Sequence, residues 1–324
     1  MEEKLFESLY RDGVLSNRSY EKLKAEALHK NLSVHWEVKT LLYLGVLLLS
    51  SGLGILVYKN INTIGHQVIL LFLALVCAGS FYYCEKHKKP FSRNKVMAEN
   101  SWFDYILLLA CCTFISFVAY LQFQYQVFGN RYGLATFFPT VVLFFSAYYF
   151  DHLGVLTMAI TSFAAWLGLT VTPLHILEAN DFNSVRIIYT GLFLGLLLLI
   201  VSWLTGKRRF KPHFGFTYTN FGLHILLISC LSAMFYYSSI SLVWFALIAA
   251  VCYVYYRKAV QDRSFYLLLV IAVYIYISFS YLFVQLISRT DSAGAIYLGF
   301  LYFIASAIGM LIFLIKSHKK LKAL

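Results

Sequence analysis

Residues 186–210 read RIIYTGLFLGLLLLIVSWLTGKRRF. One arginine opens the stretch, an apolar run follows to Leu204, and three bases close it at Lys207, Arg208 and Arg209. A helix needs about 20 mostly apolar residues to cross ~30 Å of hydrocarbon, and 186–204 has that length. The apolar residues are continuous and do not alternate with period two, which excludes a barrel strand. Gly191 and Gly195 form a GxxxG pair, a spacing that lets two helix backbones approach closely. Trp203 stands where the apolar run meets the bases, the level at which an indole ring is half apolar and half hydrated. This one segment predicts a membrane helix, a packing face and a direction.

The same reading extends along the whole 324-residue chain. Ten segments qualify, at about 40–58, 65–84, 103–123, 134–150, 153–171, 186–204, 219–236, 240–256, 264–286 and 294–315. Apolar residues make up 60% of the chain and charged residues 13%, whereas a soluble domain is nearer half and a quarter. A soluble globular enzyme and a disordered chain are therefore excluded. The expected fold is all-α: a polytopic integral membrane bundle of about ten helices.

Charge placement sets the expected orientation. With the N-terminus inside, 23 of the 27 Lys and Arg fall in inner segments; only Lys59, Arg131, Arg186 and Arg289 fall outside. The positive-inside rule then predicts both termini in the cytoplasm, and an even number of spans satisfies it. The net charge of +12 is explained as a topology signal, so no nucleic-acid partner is expected. The implied partner is the lipid bilayer; nothing here indicates an oligomeric state.

Two regions are expected: a cytoplasmic helical hairpin at 1–38 and a transmembrane domain at 39–324. Leu5 and Leu9 share one helical face, Gly13 breaks the run, Ser16 can cap a second helix, and Tyr20, Leu23 and Ala27 form a second stripe. Residues 1–35 either pack on their own membrane domain or dock a cytoplasmic protein partner. About 39 residues precede the first span, too many for the n-region of a cleaved signal.

Charged groups at membrane depth are costly and functional by default, and none lies well inside a predicted span. His224 is the titratable group within a span, read either as a hydrogen-bonded interior imidazole or as a functional one; Gln285 is a second intramembrane polar group. Asp104 and Asp151 fall at inner boundaries. The other polar groups gather at the outer turns: Lys59, Asn60 and His66; Gln122, Gln126, Asn130 and Arg131; His175, Glu178 and Arg186. They are candidates for an outward-facing pocket suited to a headgroup, sugar or peptide, or they are ordinary loop solvation. Neither a metal site nor a cofactor is expected: His175 and Glu178 are two ligands only, and the adjacent Cys111 and Cys112 point to different helix faces. All six cysteines fall within spans, so no disulfide framework is implied. The catalytic motifs of nucleophile elbows, phosphate loops, zinc proteases and dinucleotide folds do not occur.

Three segments carry a resemblance. The first is the pattern Leu9, Gly13, Leu15, Ser16, Tyr20, Leu23. The second is the Gly-rich first span, Gly45 to Gly54, ending at Asn60. The third is Tyr125-Gln126-Val127-Phe128-Gly129-Asn130. Over about the first 170 residues the chain resembles a bacterial family of predicted membrane proteins, domain of unknown function 2157. The resemblance implies a multi-pass inner-membrane protein and supplies no activity. The expected function is a non-enzymatic membrane protein with an outward polar pocket for binding or scaffolding. The alternatives are a ten-helix carrier of a small or amphiphilic solute, similar in size and topology to drug/metabolite transporters, and an accessory protein or enzyme of envelope lipid or glycan metabolism.

Overall fold

The computed structural model describes residues 16, 35–59, 65–96, 101–129, 131–171, 185–288 and 293–323. The chain divides into two compact units, Met1–Ile61 and Asn62–Leu324. The first contains α1 (His35–Lys59); the expected hairpin lies outside the described residues. The second contains α2 (His66–His87), α3 (Ser101–Tyr125), α4 (Tyr132–Phe150), α5 (Leu153–Val171), α6 (Val185–Arg208), α7 (Phe214–Tyr236), a 3₁₀ turn at Ser238–Ile240, α8 (Ser241–Gln261), α9 (Phe265–Ile287) and α10 (Ala293–Ala323).

All described secondary structure is helical, as continuous apolar runs require when no water can satisfy an exposed backbone. Among the described residues, eight helices are long and apolar enough to cross a membrane, and shorter apolar stretches lie at Thr40–Leu56 and Leu153–Gly168. The fold is a polytopic helical membrane bundle.

In the second unit consecutive helices pair. The tightest approach is α6 on α7. A Cβ added to Gly195 would stand 2.7 Å from the Leu226 backbone nitrogen, and one added to Gly222 would stand 3.1 Å from the Gly195 carbonyl oxygen. Leu223, Leu227, Cys230 and Met234 of α7 continue the core onto Ile248 and Cys252 of α8 and Leu268 and Ile271 of α9. Pro139 lies inside α4, and Thr140 beside it joins α5 through Ser162 (2.8 Å).

Three helices end alike. At the C-termini of α4, α6 and α8 the residues Asp151, Arg209 and Arg263 are left-handed (φ 59°, 49° and 50°). The next residue's N–H reaches back to a carbonyl five positions earlier: His152 to Ala147 (3.0 Å), Phe210 to Thr205 (3.3 Å), Ser264 to Ala259 (2.9 Å). This is the Schellman geometry, which satisfies carbonyls that a helix end would otherwise leave open. In all three, a charged residue occupies the place that glycine usually takes.

Candidate functional site

The connections α2–α3, α4–α5 and α6–α7 meet at one end of the second unit, here called the basic end because these connections and the helix ends beside them carry Lys86, Lys88, Lys89, Arg93, Lys95, Lys207, Arg208, Arg209 and Lys211. Asp151 is the centre of this meeting. Its carboxylate is 3% exposed. Oδ2 accepts from the Val96 N–H at 2.6 Å. Oδ1 lies 2.8 Å from His213 Nε2 and 2.9 Å from Lys211 Nζ. Lys211 is fully buried. Its ammonium meets the carboxylate as a charge contact, not along a directed hydrogen bond, and sits 4.8 Å over the Phe91 ring. Burying a lone ammonium would be prohibitive, so Asp151 is what permits Lys211 to be there.

The neighbouring groups reinforce the same corner. The Lys211 N–H donates to the Arg93 carbonyl at 2.8 Å, which ties two of the connections through backbone. His152 Nδ1 accepts from the Val155 N–H at 3.1 Å and so caps α5; its Nε2 faces Asp104 Oδ1 at 3.6 Å. Lys88 binds both Glu85 and the Tyr149 hydroxyl. The cavity among Lys88, Tyr149, Asp104, Asp151 and Lys211 is only about 30 Å³, room for one or two waters. This corner is filled by its own side chains.

A ligand-sized space lies next to it. A groove of about 480 Å³ is lined by Val201, Leu204, Thr205 and Arg208 of α6, Phe210 of the next connection, and Arg93 of the α2–α3 connection.

The outer-turn candidates are placed as follows. Asn60, Asn130, His175 and Glu178 lie outside the described residues, and Lys59 closes α1 in the first unit. In the second unit His66 Nδ1 meets the Tyr120 hydroxyl at 2.7 Å. Gln122 is buried and serves its own turn: Nε2 donates to the Gly129 carbonyl (2.8 Å) and Oε1 accepts from the Phe128 N–H (3.0 Å). Gln126, Arg131 and Arg186 are exposed. Gln285 clasps the α7–α8 turn, donating to the Ser238 carbonyl (2.9 Å) and accepting from the Ser241 hydroxyl (2.8 Å). Both glutamines thus hold turns closed.

His224 lies ten residues into α7, about 15 Å along its axis. Tyr266 donates its proton to Asn220 Oδ1 at 2.7 Å, so its oxygen accepts from His224 Nε2–H at 3.2 Å. Nδ1 is then the acceptor for the Tyr274 hydroxyl at 2.9 Å. The result is one directed chain, Tyr274 to His224 to Tyr266 to Asn220, which satisfies a neutral imidazole and joins α7 to α9. Gly191 and Gly195 face α7 at Ser229 and Leu226. Among the described residues no cluster of three metal-ligating side chains occurs, and the six cysteines are free thiols.

Residues 7–156 match the family described as predicted membrane protein (DUF2157). The match takes in Asp104, Asp151 and His152, and stops before Lys211 and His213. The Asp151 centre is therefore assembled across the limit of the matched region. None of the curated proteins and none of the solved structures matches this chain.

The roles of Lys211 and His213 were not visible in the sequence, where they read as inner-loop charge. The available signal was Asp151-His152, an acid and an imidazole in a two-residue turn between two predicted spans at a basic end.

Proposed function

We propose that the chain is a non-enzymatic multi-pass protein of the bacterial cytoplasmic membrane that works by binding, as a scaffold. Both termini and the basic end face the cytoplasm. The observation that carries this reading is the Asp151 centre, which fastens three interhelical connections by one buried carboxylate. A carrier that alternates access must part its helices at each end in turn. Parting them here would separate Lys211 from Asp151, and breaking a buried pair costs about 3–5 kcal/mol. A closed, stitched end suits a platform better than a gate. Residues 1–35 and the exposed outward groups Gln126, Arg131 and Arg186 then offer binding faces on the two sides.

A second reading has its own support. A crevice of about 570 Å³ between α8, α9 and α10 is walled almost entirely by apolar side chains, among them Cys252, Ile271, Ile275 and Met310. A facilitator of amphiphiles would use such a space.

Flux separates the two readings. Proteoliposomes containing the full chain are loaded with a broad panel of small polar and amphiphilic solutes. Release no faster than from protein-free vesicles is expected; release above that level for any solute overturns the binding reading. Reporter fusions test orientation, and an extracytoplasmic C-terminus refutes it.

A further inference from the structure

We propose that the groove between α6 and the α2–α3 connection is a binding site for an anionic glycerophospholipid, with the headgroup phosphate held between Arg93 and Arg208. The inference does not depend on which side of the membrane the basic end faces.

The groove is ordered as an amphiphile is. Val201, Leu204, Thr205 and Arg208 follow one another at i, i+3, i+4 and i+7, so they form one stripe of α6. Along that stripe the wall passes from aliphatic to hydroxyl to guanidinium. An acyl chain fits the first part and a phosphate the last. Arg93 brings the second guanidinium from another element, and the backbone hydrogen bond from Lys211 to its carbonyl holds that element in place. Phe210 closes the groove; its ring stacks on Tyr148 with centroids 5.9 Å apart and an interplanar angle of 15°.

Depth agrees with this assignment. Trp203, on the same helix end, is 61% exposed, and Lys207 Nζ lies 4.8 Å over its ring. An exposed indole beneath a cation marks headgroup level. Size agrees as well: about 480 Å³ is within the range of small-molecule sites.

Charge decides for an anion. Among the described residues no carboxylate lines the groove and neither guanidinium is paired with one. Asp151, the nearby acid, is already engaged by Lys211 and His213. Guanidinium presents a planar fork of donors that matches phosphate oxygens in pairs. Free phosphate would use the two arginines and leave Val201 and Leu204 unemployed, so the lipid is the better occupant.

The test uses the full chain in a neutral detergent. Phosphatidylglycerol and phosphatidylcholine are titrated separately as mixed micelles. Binding is read from the thermal midpoint, and retained lipid is counted by native mass spectrometry after detergent exchange. Preferential stabilisation and retention by phosphatidylglycerol are expected. Each basic group near a membrane surface contributes about fivefold, so the double variant Arg93→Gln, Arg208→Gln should weaken phosphatidylglycerol binding about 25-fold. Arg209→Gln removes a like charge from the same end outside the groove and should weaken binding by no more than the general surface contribution of one basic group, about fivefold. Equal stabilisation by phosphatidylcholine, or equal loss in Arg209→Gln and the double variant, overturns the proposal. Displacement of the lipid by millimolar inorganic phosphate reduces it to a simple anion site and also overturns it. If the double variant does not fold, retention of the two lipids by the unaltered protein decides.

Discussion

Gly195→Ala is the sharpest perturbation the packing allows. The new Cβ would stand 2.7 Å from the Leu226 nitrogen and 2.8 Å from its Cα and Cβ. Nonbonded carbons settle at about 3.5–4.0 Å, so the shortfall is roughly 0.8 Å. The obstructing atoms are backbone and Cβ, and no rotamer change can clear them. α6 and α7 must move apart. A radial gap of that size forfeits about a quarter to a half of the dispersion well for each contact it opens, and overpacking of this kind costs about 1–3 kcal/mol. Two controls use the same chemical change in the same helix. Gly206 has nothing within 4 Å of an added Cβ, so Gly206→Ala should be neutral or gain up to about 1 kcal/mol from helix propensity. At Gly191 the obstacle is the Ser229 hydroxyl at 2.1 Å, a group that can rotate or be deleted, so Gly191→Ala should recover when combined with Ser229→Ala. The assay is the thermal unfolding midpoint of the detergent-solubilised chain, where about 2–4 °C corresponds to each kcal/mol in chains approaching this size. The reasoning is refuted if Gly195→Ala melts with the unaltered protein, or if Gly206→Ala falls as far.

Three further outcomes are expected. Asp151→Asn leaves Lys211 buried without its counter-charge and should lower stability by about 3–5 kcal/mol; adding Lys211→Met should restore most of it, as read by midpoint shifts. Gln122→Leu strands the Phe128 N–H and the Gly129 carbonyl, costs about 1–3 kcal/mol, and should speed proteolytic nicking of the α3–α4 turn. Arg263→Gly should raise the midpoint, because a left-handed non-glycine residue costs roughly 1–2 kcal/mol.

The ten apolar segments read from the sequence correspond in order to α1–α10, but the helix ends do not coincide with the apolar limits. α6 runs to Arg208, four residues past the apolar edge; α8 runs to Gln261 and α10 to Ala323. Hydropathy marks the hydrocarbon boundary, whereas a helix continues until its carbonyls find another partner, and basic residues in its last turn are favoured by the helix dipole. α7 begins at Phe214, five residues before the expected 219, a limit set where hydroxyl-bearing residues, Tyr218 and Thr219 among them, interrupt the apolar run. Their hydroxyls are in fact spent inside the bundle, on Tyr148 (2.9 Å) and Ser202 (2.6 Å). Such pairings join residues far apart in sequence, and no local pattern encodes them. The Asp151 centre was illegible for the same reason: Val96, Asp151, Lys211 and His213 come from three separate connections.

The three left-handed caps tie the basic end's architecture to its charge. Aspartate tolerates the left-handed region several-fold better than most residues, and Asp151 uses its position to reach Val96, Lys211 and His213. Arginine has no such tolerance, yet Arg209 and Arg263 adopt the same backbone. No ion pair of either falls among the described residues. The backbone hydrogen bonds of the cap, Phe210 to Thr205 and Ser264 to Ala259, are the local return for that conformation; the arginine charge takes no part in them, and its use is orientation during insertion or attraction of anionic headgroups to this surface. Glycine separates the two. If Arg263→Gly is more stable in detergent and less oriented in the membrane, the arginine is there for insertion. If it is more stable and equally oriented but loses anionic lipid from the micelle, the charge is there for the headgroups. A variant that is no more stable than the original would mean the left-handed turn is not strained, and the link between cap and charge falls.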